Sequence, residues 1–108
     1  MNYETILYEV SEDIATITLN RPEVMNGLDA QMRVDLMHAI AHAPHDARVA
    51  VVTGAGRGFC SGQDLGDAKR ISDMDLERTL REEYEPLLKA IYDCPIPTIS
   101  AVNGAAAG

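Results

Sequence analysis

A short β-branched run that empties into glycine constrains this chain more than any other feature. Val49 to Thr53 (VAVVT) is apolar and β-branched, and Gly54, Gly56, Gly58 and Gly62 follow within nine residues. The run predicts a strand buried on both faces. Glycine reaches backbone angles that other residues avoid and lets a ligand approach the main chain. A buried strand running into such a loop is how α/β folds present backbone N–H groups at the carboxyl end of a sheet. The stretch closes on Gln63-Asp64-Leu65, which reads as an N-cap and first helical turn with outward N–H groups. It suits an anion, or negative charge that develops during a reaction.

The segments around it alternate in type. Glu4 to Val10 alternates with Ile6, Tyr8 and Val10 on one face, and Ile14 to Leu19 with Ala15, Ile17 and Leu19 on one face. Ser11-Glu12-Asp13 between them predicts a β-hairpin. Arg21-Pro22 stops the second strand, because proline cannot donate to a ladder. Glu23 to Leu28 is a loop carrying the turn signal Asn26-Gly27. Asp29 then caps a helix whose apolar positions are Met32, Leu36, Ile40 and Ala43, ended by Pro44.

A second helix is signalled by Leu76, Leu80, Tyr84, Leu87 or Leu88, and Ile91. Pro86 inside that pattern must kink it or begin a new segment. Cys94-Pro95-Ile96-Pro97 breaks the chain before a further buried strand, Thr98 to Val102. Asn103-Gly104-Ala105-Ala106-Ala107-Gly108 makes a second strand-to-glycine turn. A hairpin followed by strands alternating with helices predicts an α/β fold with a mainly parallel sheet.

Composition narrows the function. The formal charge is −8, from 17 acidic and 9 basic residues, which argues against nucleic acid or an anionic membrane as partner. No apolar run approaches the ~20 residues of a membrane span, and the N-terminus lacks a secretory pattern. A cytoplasmic protein is expected, with Cys60 and Cys94 as reduced thiols. No metal is expected: His38, His42 and His45 read as a solvated helix face, since a metal site needs a further ligand and a pocket.

Two chemistries fit a glycine loop after a strand. Thr53-Gly54-Ala55-Gly56-Arg57-Gly58-Phe59 is similar to the TGxxxG turn of short-chain dehydrogenases, where a pyrophosphate rests on a helix N-terminus. Against it, about half the chain precedes the motif, and Cys60 to Asp64 keeps the chain in a loop where a helix should begin. The other chemistry uses both glycine turns together. Two backbone amides converging on one point make an oxyanion hole, which stabilises a thioester enolate.

Leu19-Asn20-Arg21-Pro22 with Asn26 and Leu28, then Gly58 to Leu65, then Pro97 to Ile99 with Ala101 to Gly108, carry a family pattern. In this order and spacing the chain resembles the crotonase, or enoyl-CoA hydratase/isomerase, superfamily over nearly its whole length. Its turns are most similar to the isomerase and hydratase branch of phenylacetyl-CoA degradation, with ordinary 2-enoyl-CoA hydratases nearly as close. The resemblance implies the N-terminal half of a ββα spiral fold, with residues 1–108 as the first part of one domain. It implies that the Gln63 backbone N–H is one oxyanion donor, and that Gly108 opens the turn whose next residue supplies the other. It implies that Glu23, Val24, Met25 and Asn26, with Ser61, Gln63, Asp64 and Leu65, line a coenzyme A site. The substrate would be an acyl-CoA thioester, with no prosthetic group, in a homotrimer or hexamer at full length.

Family members run to more than twice this length, with their acid/base carboxylates in the later part. The chain alone is therefore expected to be inert. A noncatalytic acyl-CoA-binding module and an NAD(P)-dependent oxidoreductase are the other readings. For single residues, Asp64 is expected to cap a helix, and the run Glu82-Glu83-Tyr84-Glu85 to be a solvated face. Arg21, Arg57, Lys69 and Arg70 are candidates for coenzyme A phosphates.

Overall fold

A computed structural model of the chain describes residues 2–64 and 73–107. Strands β1 (Ile6–Ser11), β2 (Ile14–Leu19), β3 (Val49–Gly54), β4 (Gly58–Cys60), β5 (Thr98–Ser100) and β6 (Ala105–Ala106) are joined by helices α1 (Ala30–His42), α2 (Asp73–Thr79) and α3 (Glu85–Tyr92). The main sheet runs β1-β2-β3-β5, and β4 pairs with β6 in a second, two-stranded sheet. β1 and β2 are antiparallel, whereas β3 is parallel to both β2 and β5. No described helix is long and apolar enough to cross a membrane.

The hairpin closes through a two-residue turn. Ser11 pairs with Ile14, and Glu12 and Asp13 between them take φ of +52° and +66°. Two left-handed residues match the right-handed twist of the flanking strands, even though neither is glycine.

Asp29 starts α1 as its spacing predicts, its Oδ1 accepting the Met32 N–H at 2.8 Å. The face bearing Met32, Leu36, Ile40 and Ala43 is buried against Ile17 and Leu19 of β2 and against Ile6 of β1. Near its end Ala43 meets Ala15 and Ala50, small side chains that bring the helix close to the sheet.

β3 is less enclosed than its composition predicts: Ala50 is buried, while Val51, Val52 and Thr53 are half-buried. Ala50 packs on Ala43 and Val52 on the α1 core, whereas Val51 faces the other side of the sheet. Among the described residues that second side has no helix over it, and Ile99 of β5, paired with Val51, stays 51% exposed. β5 likewise differs from the buried strand expected over Thr98 to Val102, being short, exposed and paired within the main sheet to β3.

Pro86 does not break the second helix. A π-turn over Leu80–Tyr84 precedes it, with the Glu85 N–H bonded to the Leu80 carbonyl. The wider turn accommodates a ring that would otherwise strike the preceding turn of an α-helix. One extra residue in the turn also rotates everything after it. Thr79 and Leu87 are buried and Tyr84 and Ile91 half-buried, while Leu76, Leu80 and Leu88 are exposed. The expected apolar face therefore holds at Tyr84, Leu87 and Ile91 and fails at Leu76 and Leu80.

Asp35 is 5% exposed on α1. Its Oδ2 accepts from the Thr5 backbone N–H (3.0 Å) and hydroxyl (2.7 Å), and its Oδ1 from Gln31 (2.8 Å). Burial alone pushes this carboxyl up, but the hydrogen bonds from Thr5 and Gln31 outweigh it and hold it below its usual 3.8. A depressed folded value means that stabilisation is complete above the unfolded value and is lost as pH falls through the folded one. Asp35→Asn is thus expected to cost roughly 2 kcal/mol near neutrality, with the gap to the parent closing below about pH 4 in urea unfolding.

His38, His42 and His45 do lie on the outside, but not as isolated solvated side chains. Their rings form a column, with centroids 6.3 Å and then 5.5 Å apart, beside Tyr3 and Tyr8. His42 Nε2 (3.0 Å) and the Tyr8 hydroxyl (2.8 Å) meet on Asp46. Cys60 and Cys94 are free thiols packed beside the core.

Candidate active site

Three segments distant in sequence are brought together by two asparagines. Asn26 follows Met25 in the loop after β2, both in left-handed backbone at φ +57° and +53°. Its side chain is fully buried. Oδ1 accepts the Arg21 N–H at 2.8 Å, and Nδ2 donates to the carbonyls of Ala55 (3.1 Å), Gly58 (3.0 Å) and Phe59 (3.1 Å). Asn103 grips the same glycine loop from the other side. Its Oδ1 accepts the Gly54 N–H (3.0 Å), and its Nδ2 donates to Gly56 (3.2 Å) and Gly58 (3.3 Å).

These clamps set the turn that follows. The Ser61 N–H bonds Met25 O (3.0 Å), Leu28 N–H bonds Gly62 O (2.7 Å), and Asp64 N–H bonds Leu28 O (3.0 Å). The last two form a parallel bridge between Leu28 and Gln63. In such a bridge the flanking residues turn toward the partner strand, so the Gln63 N–H faces the opposite edge. The Gln63 side-chain nitrogen is buried and has no hydrogen-bond partner among the described residues.

The second glycine turn lies alongside. β6 pairs in parallel with β4, Gly58 opposite Ala105 and Cys60 opposite Ala106, and the Ala107 N–H reaches Cys60 O at 2.9 Å. The turns at 62–64 and 104–107 are thus neighbours on one side of the molecule. Gly104 is required for this approach, since a Cβ there would lie 2.0 Å from Arg57 O.

The individual site residues divide sharply. Glu23, Val24 and Ser61 are exposed, and Met25 packs its side chain against Gly58. Asn26 presents no free side-chain group to a ligand: it shapes the loop from within, because every polar atom is committed. Arg21 is likewise taken up internally rather than left for a phosphate. Its Nη1 donates to Gly27 O and to Asp64 Oδ2 (3.1 Å), and Nη2 lies 3.6 Å from Asp29. Arg57 is exposed. Leu65, Lys69, Arg70 and Gly108 lie outside the described residues, as does the helix Asp64 was expected to cap.

An apolar cavity of about 490 Å³ opens between the main sheet, β4 and α3. Leu28, Phe59, Cys60, Tyr84, Leu87 and Leu88 are among its lining residues. No carboxylate is among its described lining residues. Sequence reasoning missed Arg33, which is 2% exposed and ion-paired with Glu83 at 3.0 Å. The acidic run is therefore not simply a solvated face. A buried cation on a helix leaves no trace in apolar periodicity. The only hint was the spare basic residue at Arg33 beside the apolar stripe.

The glycine loop feeds a strand, β4, and not a helix, so the dinucleotide reading falls. The architecture is that of the crotonase fold. An enoyl-CoA hydratase/isomerase from Xanthobacter autotrophicus superposes with a TM-score of 0.82 at 37% identity, over 95% of this chain and 40% of that one. The corresponding protein from Mycobacterium abscessus gives 0.81 at 37% identity, over 92% and 40%. The model of the enoyl-CoA hydratase/isomerase family matches residues 9–108, and the chain belongs to that family. It is 61% identical over its whole length to a probable enoyl-CoA hydratase of Rhodobacter capsulatus, covering 42% of that protein. It is 40% identical to the 1,2-epoxyphenylacetyl-CoA isomerase of Escherichia coli, over 97% of this chain and 42% of the other. The chain thus spans about two-fifths of the length of the curated relatives it matches.

Proposed function

We propose that this protein contributes to an acyl-CoA hydratase or isomerase in which the Gln63 backbone N–H stabilises the enolate oxyanion of a bound thioester. The observation that carries this reading is the outward edge of the Leu28–Gln63 bridge, beside the β4–β6 pair that brings the second glycine turn to it. Two amides fixed before the reaction begins cost no reorganisation when charge appears on the thioester oxygen. Gly108 then opens the turn whose next residue supplies the second amide. Glu23, Val24, Met25, Ser61, Gln63, Asp64 and Leu65 line the coenzyme A path, with Asn26 shaping it. The apolar cavity takes the acyl chain. Residues 1–108 are on this reading the first part of one domain, working as a trimer or hexamer in the cytoplasm.

Hydration or isomerisation also needs a proton donor or acceptor at the substrate carbon. Among the described residues no carboxylate lines the cavity, and Asp64 is bonded to Arg21. Residues 1–108 alone are therefore expected to bind an acyl-CoA without turning it over. That is also the behaviour of a noncatalytic binding module, and turnover of crotonyl-CoA by this chain alone would contradict both.

The donor assignment is tested by joining residues 1–108 to the remainder of the Rhodobacter capsulatus relative. Gln63→Pro deletes the amide and should lower turnover roughly 10²–10³-fold, the loss typical of one oxyanion donor. Gln63→Ala keeps the backbone amide and truncates the side chain at Cβ, so its effect should stay within a few-fold. Equal, mild effects would sink the assignment.

A further inference from the structure

We propose that Tyr84, held by Arg33, sets how large an acyl group the cavity accepts, and that Arg33 is a positioning residue keeping that wall in register with the Gln63 turn. The inference rests on the coenzyme A reading above and names a specificity determinant within it.

Arg33 lies buried on α1, between the two places that matter. Its Nη1 donates to the Leu28 carbonyl (3.2 Å) and to the Tyr84 hydroxyl (3.0 Å), and its Nη2 to Glu83 (3.0 Å). The guanidinium carbon sits 4.6 Å from the Tyr84 ring centroid. The Leu28 carbonyl also receives the Asp64 N–H, next to Gln63. One rigid group thus touches both the Leu28 segment that bridges to the Gln63 turn and the Tyr84 side chain that lines the cavity.

Tyr84 is the last residue of the π-turn and lines the cavity, its hydroxyl held beside the Leu28 carbonyl by the Arg33 Nη1 they share. A phenol tied at its hydroxyl and packed along its ring cannot swing aside to admit a longer chain. A planar guanidinium fork bonds several acceptors at fixed angles, whereas a lysine ammonium on a flexible stem does not hold the same set. Burying a charge is costly and contributes little net stability, so its value here lies in geometry.

Titration calorimetry of the 108-residue chain with free CoA, butyryl-CoA and octanoyl-CoA tests this. Tyr84→Leu and Arg33→Lys are expected to bind CoA as the parent does. Each should raise the octanoyl-to-butyryl affinity ratio about tenfold, the scale of a few methylenes gaining or losing a fit. Tyr84→Phe, which keeps the ring and removes the hydroxyl that Arg33 bonds, should move the ratio the same way by less. An unchanged ratio in Tyr84→Leu and Tyr84→Phe, with parent-like circular dichroism, overturns the proposal. A parent chain that binds none of the three ligands overturns the coenzyme A reading, and the acyl-size role falls with it. The register role is then read by amide hydrogen exchange: Arg33→Lys should speed exchange at Asp64, and parent-like protection there overturns that part too.

Discussion

Asn26→Ala is expected to lower the stability of this chain by about 4 kcal/mol, enough to unfold a substantial share of it. The substitution removes the Asn26 partner of the Ala55 and Phe59 carbonyls and of the Arg21 N–H, while the Gly58 carbonyl keeps its bond from Asn103 Nδ2. Each such group pays a desolvation penalty of roughly 1–3 kcal/mol when buried without a partner, partly relieved if water enters. Asn26→Asp should be no better, because it aims a carboxylate at three carbonyl oxygens. Urea unfolding reads both, and a loss below about 1 kcal/mol for Asn26→Ala would show that the loop holds its shape without the clamp.

Gly104→Ala carries the second large effect. Its Cβ would stand 2.0 Å from Arg57 O and 3.0 Å from Arg57 C, backbone atoms that cannot rotate away as a side chain would. β6 must then leave β4, and Asn103 must release the glycine loop. The expected cost is roughly 3 kcal/mol, the upper range for overpacking, with faster hydrogen exchange at Ala107. Gly27→Ala is the matching control. There the nearest atom to the new Cβ is Ser61 Oγ at 3.4 Å, an ordinary contact, so stability should change little. Similar losses in both variants would mean that backbone flexibility, and not the β4–β6 approach, is what matters at these glycines.

Much of the fold was legible in the chain because it depends on neighbours in sequence. Alternation marked β1 and β2, Asp29 marked the start of α1, and Met32, Leu36 and Ile40 marked its buried face. The dense glycines after Val49–Gly54 marked a loop where backbone comes close to other groups, and Gly104 has that same task. The π-turn was not legible. Pro86 announces a disturbance, but a kink, a break and one inserted residue satisfy it equally well in sequence. The choice among them put Thr79 rather than Leu80 on the inward face and left Leu76 exposed.

The candidate site shows the same division. Gln63 and the two glycine turns stood out as segments, yet nothing local says that Asn26 is spent on three carbonyls or that Arg21 is tied to Asp64. A side chain's hydrogen-bond partners 29 to 43 positions away belong to the fold as a whole. The sequence by itself determined the family, the opening hairpin, helix α1 and the strand β3 that feeds the glycine loop, since those follow from residue type and local spacing. Only the tertiary structure decided that β4 and β6 lie side by side, that Arg33 reaches from Leu28 to Tyr84, and which polar side chains remain open to a ligand. Burial and hydrogen bonding are settled by what packs against a residue, and that packing exists only once the distant segments have met.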